Sequence, residues 1–113
     1  MDHLIERGIV HPDIMGIMGW SAGGVFANWA LVSTDRFRAI STGAGVANWV
    51  SLYAETQFSC EYYLGGTPYD SRERYIDLSP LKYIGNAVTP TLIHFGENDR
   101  IIPKSQGEEL YTA

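Results

Sequence analysis

Ser21 lies at the centre of the pentapeptide Gly19-Trp20-Ser21-Ala22-Gly23, which has the spacing G-x-S-x-G. This spacing is typical of a nucleophilic serine on a sharp strand-to-helix turn, where small residues two before and two after the serine let the two elements approach. The hydroxyl then projects above the sheet at the positive end of the helix. The N–H of Ala22 points to the place where an oxyanion would form. The alternative is a serine that only caps a helix.

Asp99 is the candidate acid for such a nucleophile. It stands in Gly96-Glu97-Asn98-Asp99, directly after an apolar run that predicts a strand. Loops that leave the carboxyl ends of parallel strands carry the functional groups of α/β sheets. A carboxylate there could orient a histidine and stabilise its charged form, as in a Ser-His-Asp triad. An ordinary solvated turn accounts for the same residues equally well.

No histidine in the chain fits the role of the base. His3 and His11 precede the serine, and His94 lies within the predicted strand before Asp99. The order Ser…Asp…His would put the base after Asp99, so the triad is incomplete within these residues. We interpret His94 as a partly buried strand residue. The histidines and carboxylates lack metal-ligand spacing, so we expect neither a metal nor a cofactor.

The elements that must position these residues alternate between apolar runs and helical stretches, which predicts a parallel α/β architecture. The first strand should be covered on both faces. A helix should follow the pentapeptide and end near Val32, with one apolar face. The predicted elements are a helix end over residues 2–7 stopped by Gly8, strands at Ile14–Met18, Phe37–Ser41 and Thr91–Phe95, and the helical apolar face Val25, Phe26, Trp29 and Val32.

Residues 43–90 form an excursion that is too long for a plain loop, so it should contain helices of its own. Within it, Ser79-Pro80 is typical of a helix that begins with a serine cap and a proline in its first turn. Further along, Ser105-Gln106-Gly107-Glu108 fits a capping box and predicts another helix start.

Composition excludes several classes of protein. The 113 residues carry thirteen acidic and eight basic side chains, a net charge of -5, which argues against nucleic-acid binding. No apolar run approaches the roughly 20 residues of a membrane span, so we expect no membrane association. The single cysteine, Cys60, excludes an internal disulfide framework. These features leave the compartment open, although we slightly favour the cytoplasm.

From the pentapeptide onward the sequence resembles the catalytic domain of the prolyl oligopeptidase family of serine peptidases, in particular its acylaminoacyl-peptidase and dipeptidyl-peptidase branches. The landmarks follow the family's order over nearly the whole chain. They are Gly19-Trp20-Ser21-Ala22-Gly23-Gly24, Asp35-Arg36-Phe37-Arg38-Ala39, Asn48-Trp49-Val50-Ser51, Leu64-Gly65-Gly66-Thr67-Pro68-Tyr69, Ser79-Pro80-Leu81, Thr89-Pro90-Thr91-Leu92 and Gly96-Glu97-Asn98-Asp99, followed by Pro103, Gln106 and Leu110-Tyr111.

The resemblance implies an α/β-hydrolase fold in which Ser21 is the nucleophile, Ala22 an oxyanion donor and Asp99 the triad acid. It also implies four substrate-binding residues, which are Trp20, Val46, Trp49 and Tyr53. The last three would lie near the pocket for the residue that precedes the scissile bond. Plain core packing is the alternative for those three.

The chain also departs from the family pattern. Ala22 stands where members often have tyrosine, Phe95-Gly96 replaces a His-Gly pair, and Arg100 is adjacent to the acid instead of two residues beyond it. The family's final strand and catalytic histidine would lie beyond Ala113. Its early strands, second oxyanion donor and β-propeller would lie before Met1. We therefore expect residues 1–113 to be part of one α/β-hydrolase domain, about half of it, with the N- and C-terminal portions missing.

Three functions remain open from the sequence. The first is a serine peptidase fragment that acts on peptides in the full enzyme and is inactive alone. The second is an esterase of the same fold, and the third is a noncatalytic α/β interaction module. We expect the isolated chain to self-associate through its outer strands, or to pair with the remainder of its domain.

Overall fold

The computed structural model describes residues 1–113 and contains one sheet of three parallel strands. The strands are β1 (Gly16–Trp20), β2 (Ala39–Gly43) and β3 (Thr91–His94), and they lie in sequence order across the sheet. Parallel neighbours need long crossover connections, which the intervening helices supply. The predicted parallel α/β architecture is confirmed.

Six α-helices and one 3₁₀ helix connect and flank the strands. They are α1 (Asp2–Glu6), α2 (Ala22–Ser33), α3 (Trp49–Glu55), α4 (Cys60–Leu64), α5 (Arg72–Asp77), the 3₁₀ helix Pro80–Asn86 and α6 (Ser105–Thr112). As predicted, the excursion between β2 and β3 contains several of these helices. None of the helices is long and apolar enough to cross a membrane.

Two strands lie two residues further along the chain than the sequence predicted. The β1–β2 ladder runs from Gly16 opposite Ala39 to Trp20 opposite Gly43. Glycine has a low strand propensity, so the apolar runs that predicted the strands stop before the strands themselves end. The ladder hydrogen bonds nevertheless continue through the glycines. At the start of the predicted first strand, Ile14 lies outside the ladder and is exposed. The third strand ends at His94, one residue before its predicted end.

The buried face of α2 differs from the predicted one. Phe26 is exposed, and Val25 and Trp29 are only half-buried. The residues that face the core are Gly24, Ala27, Asn28, Leu31 and Val32. The start of the helix lies so close to the sheet that no side chain fits at Gly24, where a Cβ would meet the Gly43 oxygen at 2.5 Å. Apolar periodicity therefore identified the buried face only in part, since Val32 is buried as predicted whereas Phe26 is exposed.

One face of the sheet carries the helices and the other is open. Ile40 of β2 is buried on the covered side, and Leu31 of α2 and Leu110 of α6 belong to the same apolar cluster. On the open side Met18, Trp20 and Leu92 are exposed. The expectation that the first strand is covered on both faces is wrong for these residues.

Helices begin at both predicted positions, and Ser79 is the N-cap residue before Pro80 as predicted, but neither serine side chain makes a capping hydrogen bond. Ser79 precedes a 3₁₀ helix rather than an α-helix, and its hydroxyl donates to the Tyr75 carbonyl at 2.7 Å and accepts from the Trp49 N–H at 2.9 Å. The capping box at Ser105 is wrong, because α6 already includes Ser105 and its cap position is Lys104. The Ser105 hydroxyl instead donates to the carboxylate of Glu55.

Candidate active site

Ser21 occupies a strained turn between the end of β1 and the start of α2. Its backbone has φ 56° and ψ -119°, a region that residues other than glycine rarely adopt. The turn is held by the Ser21 N–H, which donates to the Gly43 carbonyl at 2.9 Å, and by the Ser21 carbonyl, which accepts from the Val25 N–H at 3.1 Å. The side chain is exposed at the carboxyl end of the strand. This strand–turn–helix geometry is the one predicted from the spacing.

Of the two glycines in the motif, Gly19 is needed for space as predicted, whereas Gly23 is not. A Cβ on Gly19 would lie 2.0 Å from the Gly23 oxygen, so glycine is required there. A Cβ on Gly23 would meet nothing within 4 Å, so the second glycine of the motif is not needed for space. The tight position is Gly24, where α2 meets the Gly43–Gly45 segment. The requirement for small residues therefore lies two before and three after the serine.

Ala22 offers a free backbone donor beside the serine. It is the first residue of α2, so its N–H has no intrahelical acceptor, and it makes no other hydrogen bond in the structure. The twelve-residue helix adds the positive end of its dipole at the same point. A negatively charged oxygen next to Ser21 would be stabilised by both.

Asp99 lies in the turn that follows β3. Like Ser21, it lies at the end of the sheet where the parallel strands have their carboxyl ends. Its Oδ1 accepts from the backbone N–H groups of Ile101 at 2.8 Å and Ile102 at 3.0 Å. These bonds fix the carboxylate and leave Oδ2 without a partner within the chain. The side chain is half-buried, and one oxygen remains available to a histidine N–H.

An apolar pocket of about 310 Å³ opens beside Ser21. Nine of its ten lining residues are hydrophobic, so it fits an apolar side chain. The lining residues are Ser21, Ala22, Val25, Phe26, Val46, Trp49, Phe58, Tyr63, Ile101 and Ile102. Ile101 and Ile102, in the segment that follows Asp99, therefore share this pocket with the serine.

Residues 1–113 match the sequence profile of the prolyl oligopeptidase family. The chain belongs to this family. The uncharacterized peptidase YuxL of Bacillus subtilis is 36% identical over 117 residues, which cover 100% of this chain and 18% of that protein.

Comparison with solved structures identifies the fold. An acylaminoacyl peptidase of Pyrococcus horikoshii superposes with a TM-score of 0.89 at 29% identity, over 98% of this chain and 18% of that chain. An acylaminoacyl peptidase in complex with Z-Gly-Gly-Phe-chloromethyl ketone gives 0.88 at 29% identity, with 98% and 18% covered. The predicted α/β-hydrolase fold is confirmed. The chain spans less than a fifth of the length of these relatives.

The structure brings two of the four substrate-binding residues suggested by the family resemblance to the pocket. Val46 and Trp49 line it, whereas Tyr53 and Trp20 do not. Sequence reasoning missed six lining residues, which are Val25, Phe26, Phe58, Tyr63, Ile101 and Ile102. Two of these belong to the side of α2 that periodicity assigned to the core. The aromatic residues at 58 and 63 were the available signal for this part of the lining.

Tyr53 packs α3 against its neighbouring helices instead of lining the pocket. Its ring meets those of Tyr69 and Tyr75 edge-on, with centroids 6.2 Å and 6.1 Å apart. The hydrogen bond to the carboxylate of Glu61 raises the pKa of Tyr53. The pKa of Glu61 is lowered by its backbone hydrogen bond first, and then by the Ser59 and Tyr53 hydroxyls. This environment corresponds to the core-packing alternative.

Trp20 and His94 lie together on the open face of the sheet. Their ring centroids are 5.4 Å apart, and His94 Nε2 is 3.1 Å from the Ser41 hydroxyl oxygen. His94 is a strand residue, as predicted, but it is exposed rather than partly buried, because no helix covers this face. No histidine is hydrogen-bonded to Ser21. The structure also contains no group of three His, Cys, Asp or Glu side chains that could hold a metal ion.

Proposed function

We propose that this chain carries the nucleophile and the acid of a serine peptidase that transfers a peptide acyl group to Ser21 and then to water. One observation supports this most: an exposed serine on a strained strand-to-helix turn shares an apolar pocket with the turn that follows Asp99. A helix cap would not need the strained backbone, and a solvated turn would not need the pocket. Because the chain spans only part of its relatives' length, the proposal concerns this chain together with any sequence that completes its site.

The chemistry follows from the groups that are present. Ser21 Oγ attacks the carbonyl carbon of the scissile bond and gives its proton to a base, and the resulting oxyanion accepts from the Ala22 N–H. The C–N bond then breaks, and the amine leaves with the proton from the base. Water repeats the attack on the ester and releases Ser21. Asp99 Oδ2 orients the base and stabilises its charged form.

The pocket indicates a preference for a large apolar residue immediately before the scissile bond. Trp49, Phe58 and Tyr63 provide aromatic walls, and no charged side chain lines the pocket. The related acylaminoacyl peptidase that is solved with a phenylalanyl chloromethyl ketone supports the same preference. Ala22 removes the pocket wall that a tyrosine would supply at that position, which leaves more room beside the nucleophile.

In this proposal the base comes from outside residues 1–113. His94 is engaged with Ser41, and His11 Nδ1 accepts from the backbone N–H of Asp13 at 3.2 Å. Without a base the Ser21 hydroxyl keeps its proton. We therefore expect the chain alone to hydrolyse aminoacyl and acylaminoacyl chromogenic substrates no faster than its Ser21→Ala variant does.

The proposal is tested by covalent labelling of the chain expressed with the sequence that flanks it in its gene. An alkyl fluorophosphonate should phosphonylate Ser21, and peptide mass spectrometry should locate the adduct there. Ser21→Ala should abolish labelling, whereas the matched control Ser41→Ala should retain it. Labelling of Ser41, or none at Ser21 in a folded protein, would overturn the proposal.

The same protein distinguishes a peptidase from an esterase. A phenylalanyl anilide and the corresponding ester should both be hydrolysed, because an amide needs a proton donor for its leaving amine and a peptidase provides one. Turnover of the ester alone would assign the chain to the esterase alternative.

A further inference from the structure

A buried glutamine is hydrogen-bonded to the segment that carries two of the pocket residues. Gln106 of α6 is 0% exposed, and its Oε1 accepts from the N–H groups of Ala47 at 3.1 Å and Asn48 at 2.9 Å. Its Nε2 donates to the Ser51 hydroxyl at 2.9 Å. The backbone that it holds lies between Val46 and Trp49, the two pocket residues of this segment.

Glu109, one helical turn further along α6, contacts the same segment. Its Oε2 accepts from Asn48 Nδ2 at 2.7 Å, and its Oε1 accepts from the Ser51 hydroxyl. Asn48 is in turn the N-cap of α3, where its Oδ1 accepts from the Val50 N–H at 3.0 Å. The start of α3 is therefore fixed to α6 by hydrogen bonds alone, with no ion pair.

The other end of α3 is attached to the turn after Asp99. The hydroxyl of Thr56 donates to the Ile101 carbonyl at 2.6 Å, and the N–H of Gln57 donates to the Arg100 carbonyl at 3.0 Å. Residues 100–109 thus hold α3 at both ends. Trp49 and Ile101 both line the pocket, so these bonds fix two parts of its lining relative to each other.

We infer that Gln106 and Glu109 are positioning residues that hold the pocket beside Ser21 open to a large apolar side chain. The inference rests on the proposed function, because it concerns the pocket which that function assigns to substrate. Neither side chain lines the pocket, so both act through Asn48, Ser51 and the backbone of Ala47. Buried N–H groups that lose their acceptor do not stay unpaired, and the segment would shift to find new partners.

The inference can be tested without catalysis in a Ser21→Cys variant of the chain. The only other thiol, Cys60, is buried, and burial raises its pKa, so it reacts slowly with electrophiles. The rates of alkylation by N-benzylmaleimide and N-methylmaleimide are measured and expressed as a ratio, which is then divided by the same ratio for glutathione. If the pocket accepts the benzyl group, the normalised ratio should be about tenfold or more.

Two variants and a control decide the role of α6. Gln106→Met and Glu109→Met, each in the Ser21→Cys background, should lower the normalised ratio by about threefold or more. The control Glu108→Met changes the same residue type on the exposed side of α6 and should leave the ratio unchanged. All rates are compared below the melting midpoint of each variant, and Glu109→Met alone decides if Gln106→Met does not fold.

The outcomes separate this inference from the proposed function. Loss of stability with an unchanged ratio in a folded variant would show that α6 only stabilises the fold, and the positioning role would be rejected while the pocket stands. Absence of any benzyl preference in the Ser21→Cys parent would reject the pocket itself, and the positioning role with it.

Discussion

At the scale of single residues, Ser21 combines a reactive position with an unfavourable backbone. A non-glycine residue in such a region of φ and ψ costs about 1–3 kcal/mol. The surrounding hydrogen bonds must hold Ser21 in this conformation. Glycine adopts these angles without a steric penalty. The nucleophile is therefore placed at a position of local backbone strain.

The cost predicts that Ser21→Gly stabilises the chain while removing its nucleophile. The free energy of unfolding should rise by about 1 kcal/mol, because the strain is released and the exposed hydroxyl makes no hydrogen bond to lose. Urea denaturation measures the change. The control Ser33→Gly, at the regular end of α2, should show the opposite sign, since glycine weakens helices. A Ser21→Gly variant less stable than the parent would show that the turn is not strained.

Tyr75 is a second residue whose environment has a measurable consequence. It is fully buried, its hydroxyl donates to the Gly66 carbonyl at 2.9 Å, and burial raises its pKa from 10.0 to about 12. The unfolded chain loses this proton near pH 10, and the folded chain keeps it to about pH 12. Between these values the unfolded state binds fewer protons, so stability falls as pH rises.

The stability of the chain should therefore decrease between pH 10 and about pH 12, and Tyr75→Phe should reduce that slope. Thermal melts over this range measure it. Tyr62→Phe is the matched control, because Tyr62 is exposed and its substitution should leave the slope unchanged. An equal slope in Tyr75→Phe would assign the alkaline transition to other groups, with Tyr53 as the first candidate, since its pKa is also raised.

At the scale of elements, the contact between α2 and the segment after β2 determines where Ser21 lies. Gly24 and Gly45 approach so closely that a Cβ on Gly45 would lie 2.5 Å from the Gly24 carbonyl carbon. The atoms that would clash are backbone atoms, which cannot rotate away. Any side chain at this crossing must push the helix off the sheet and tilt the turn.

Gly24→Ala should accordingly destabilise the chain by about 1–3 kcal/mol, the usual cost of overpacking. Gly23→Ala is the matched control one residue earlier in the same helix. Its Cβ meets nothing within 4 Å, and alanine should stabilise the helix by about 0.5–1 kcal/mol. Equilibrium urea unfolding of both variants measures the difference. Equal effects of the two substitutions would show that α2 does not need this close approach.

The elements differ in how far their sequence patterns predict them. The serine turn was predicted because only a few residue types fit its sharp backbone, and the apolar run at Thr91 marked β3 directly. The buried face of α2 was predicted only in part, because it includes Gly24 and Ala27, whose small size matters only against a specific neighbour. Hydropathy does not show such contacts.

The pocket shows the same limit for sites. Val46 and Trp49 were suggested by the family resemblance, whereas Ile101 and Ile102 come from a turn that looked polar. Their place beside Ser21 depends on how β3 and its following turn align with β1, which is a long-range property. The hydrogen bonds of Gln106 likewise join residues nearly 60 positions apart in the chain, since Ala47 and Gln106 differ by 59.

At the scale of the whole molecule, much apolar surface is left uncovered. The radius of gyration is 15.0 Å, compared with about 13 Å for a compact domain of this size. Only 25 of 113 residues are buried. The open face of the sheet carries Met18, Trp20 and Leu92, which are 82%, 56% and 63% exposed. Apolar patches of this kind mark surfaces that bind another protein surface.

These observations predict that the isolated chain self-associates. The outer edges of β1 and β3 present unpaired N–H and C=O groups, and neither strand contains the lysine or proline that blunts an edge. Sedimentation velocity over a tenfold concentration range should show larger species as concentration rises.

Met18→Lys combined with Leu92→Lys should shift the distribution to monomer, because a charge on the open face opposes its burial. Val88→Lys, at an exposed position outside the sheet, should leave association unchanged. A parent chain that stays monomeric and melts cooperatively at every concentration would show that the open face and the strand edges do not attract a partner.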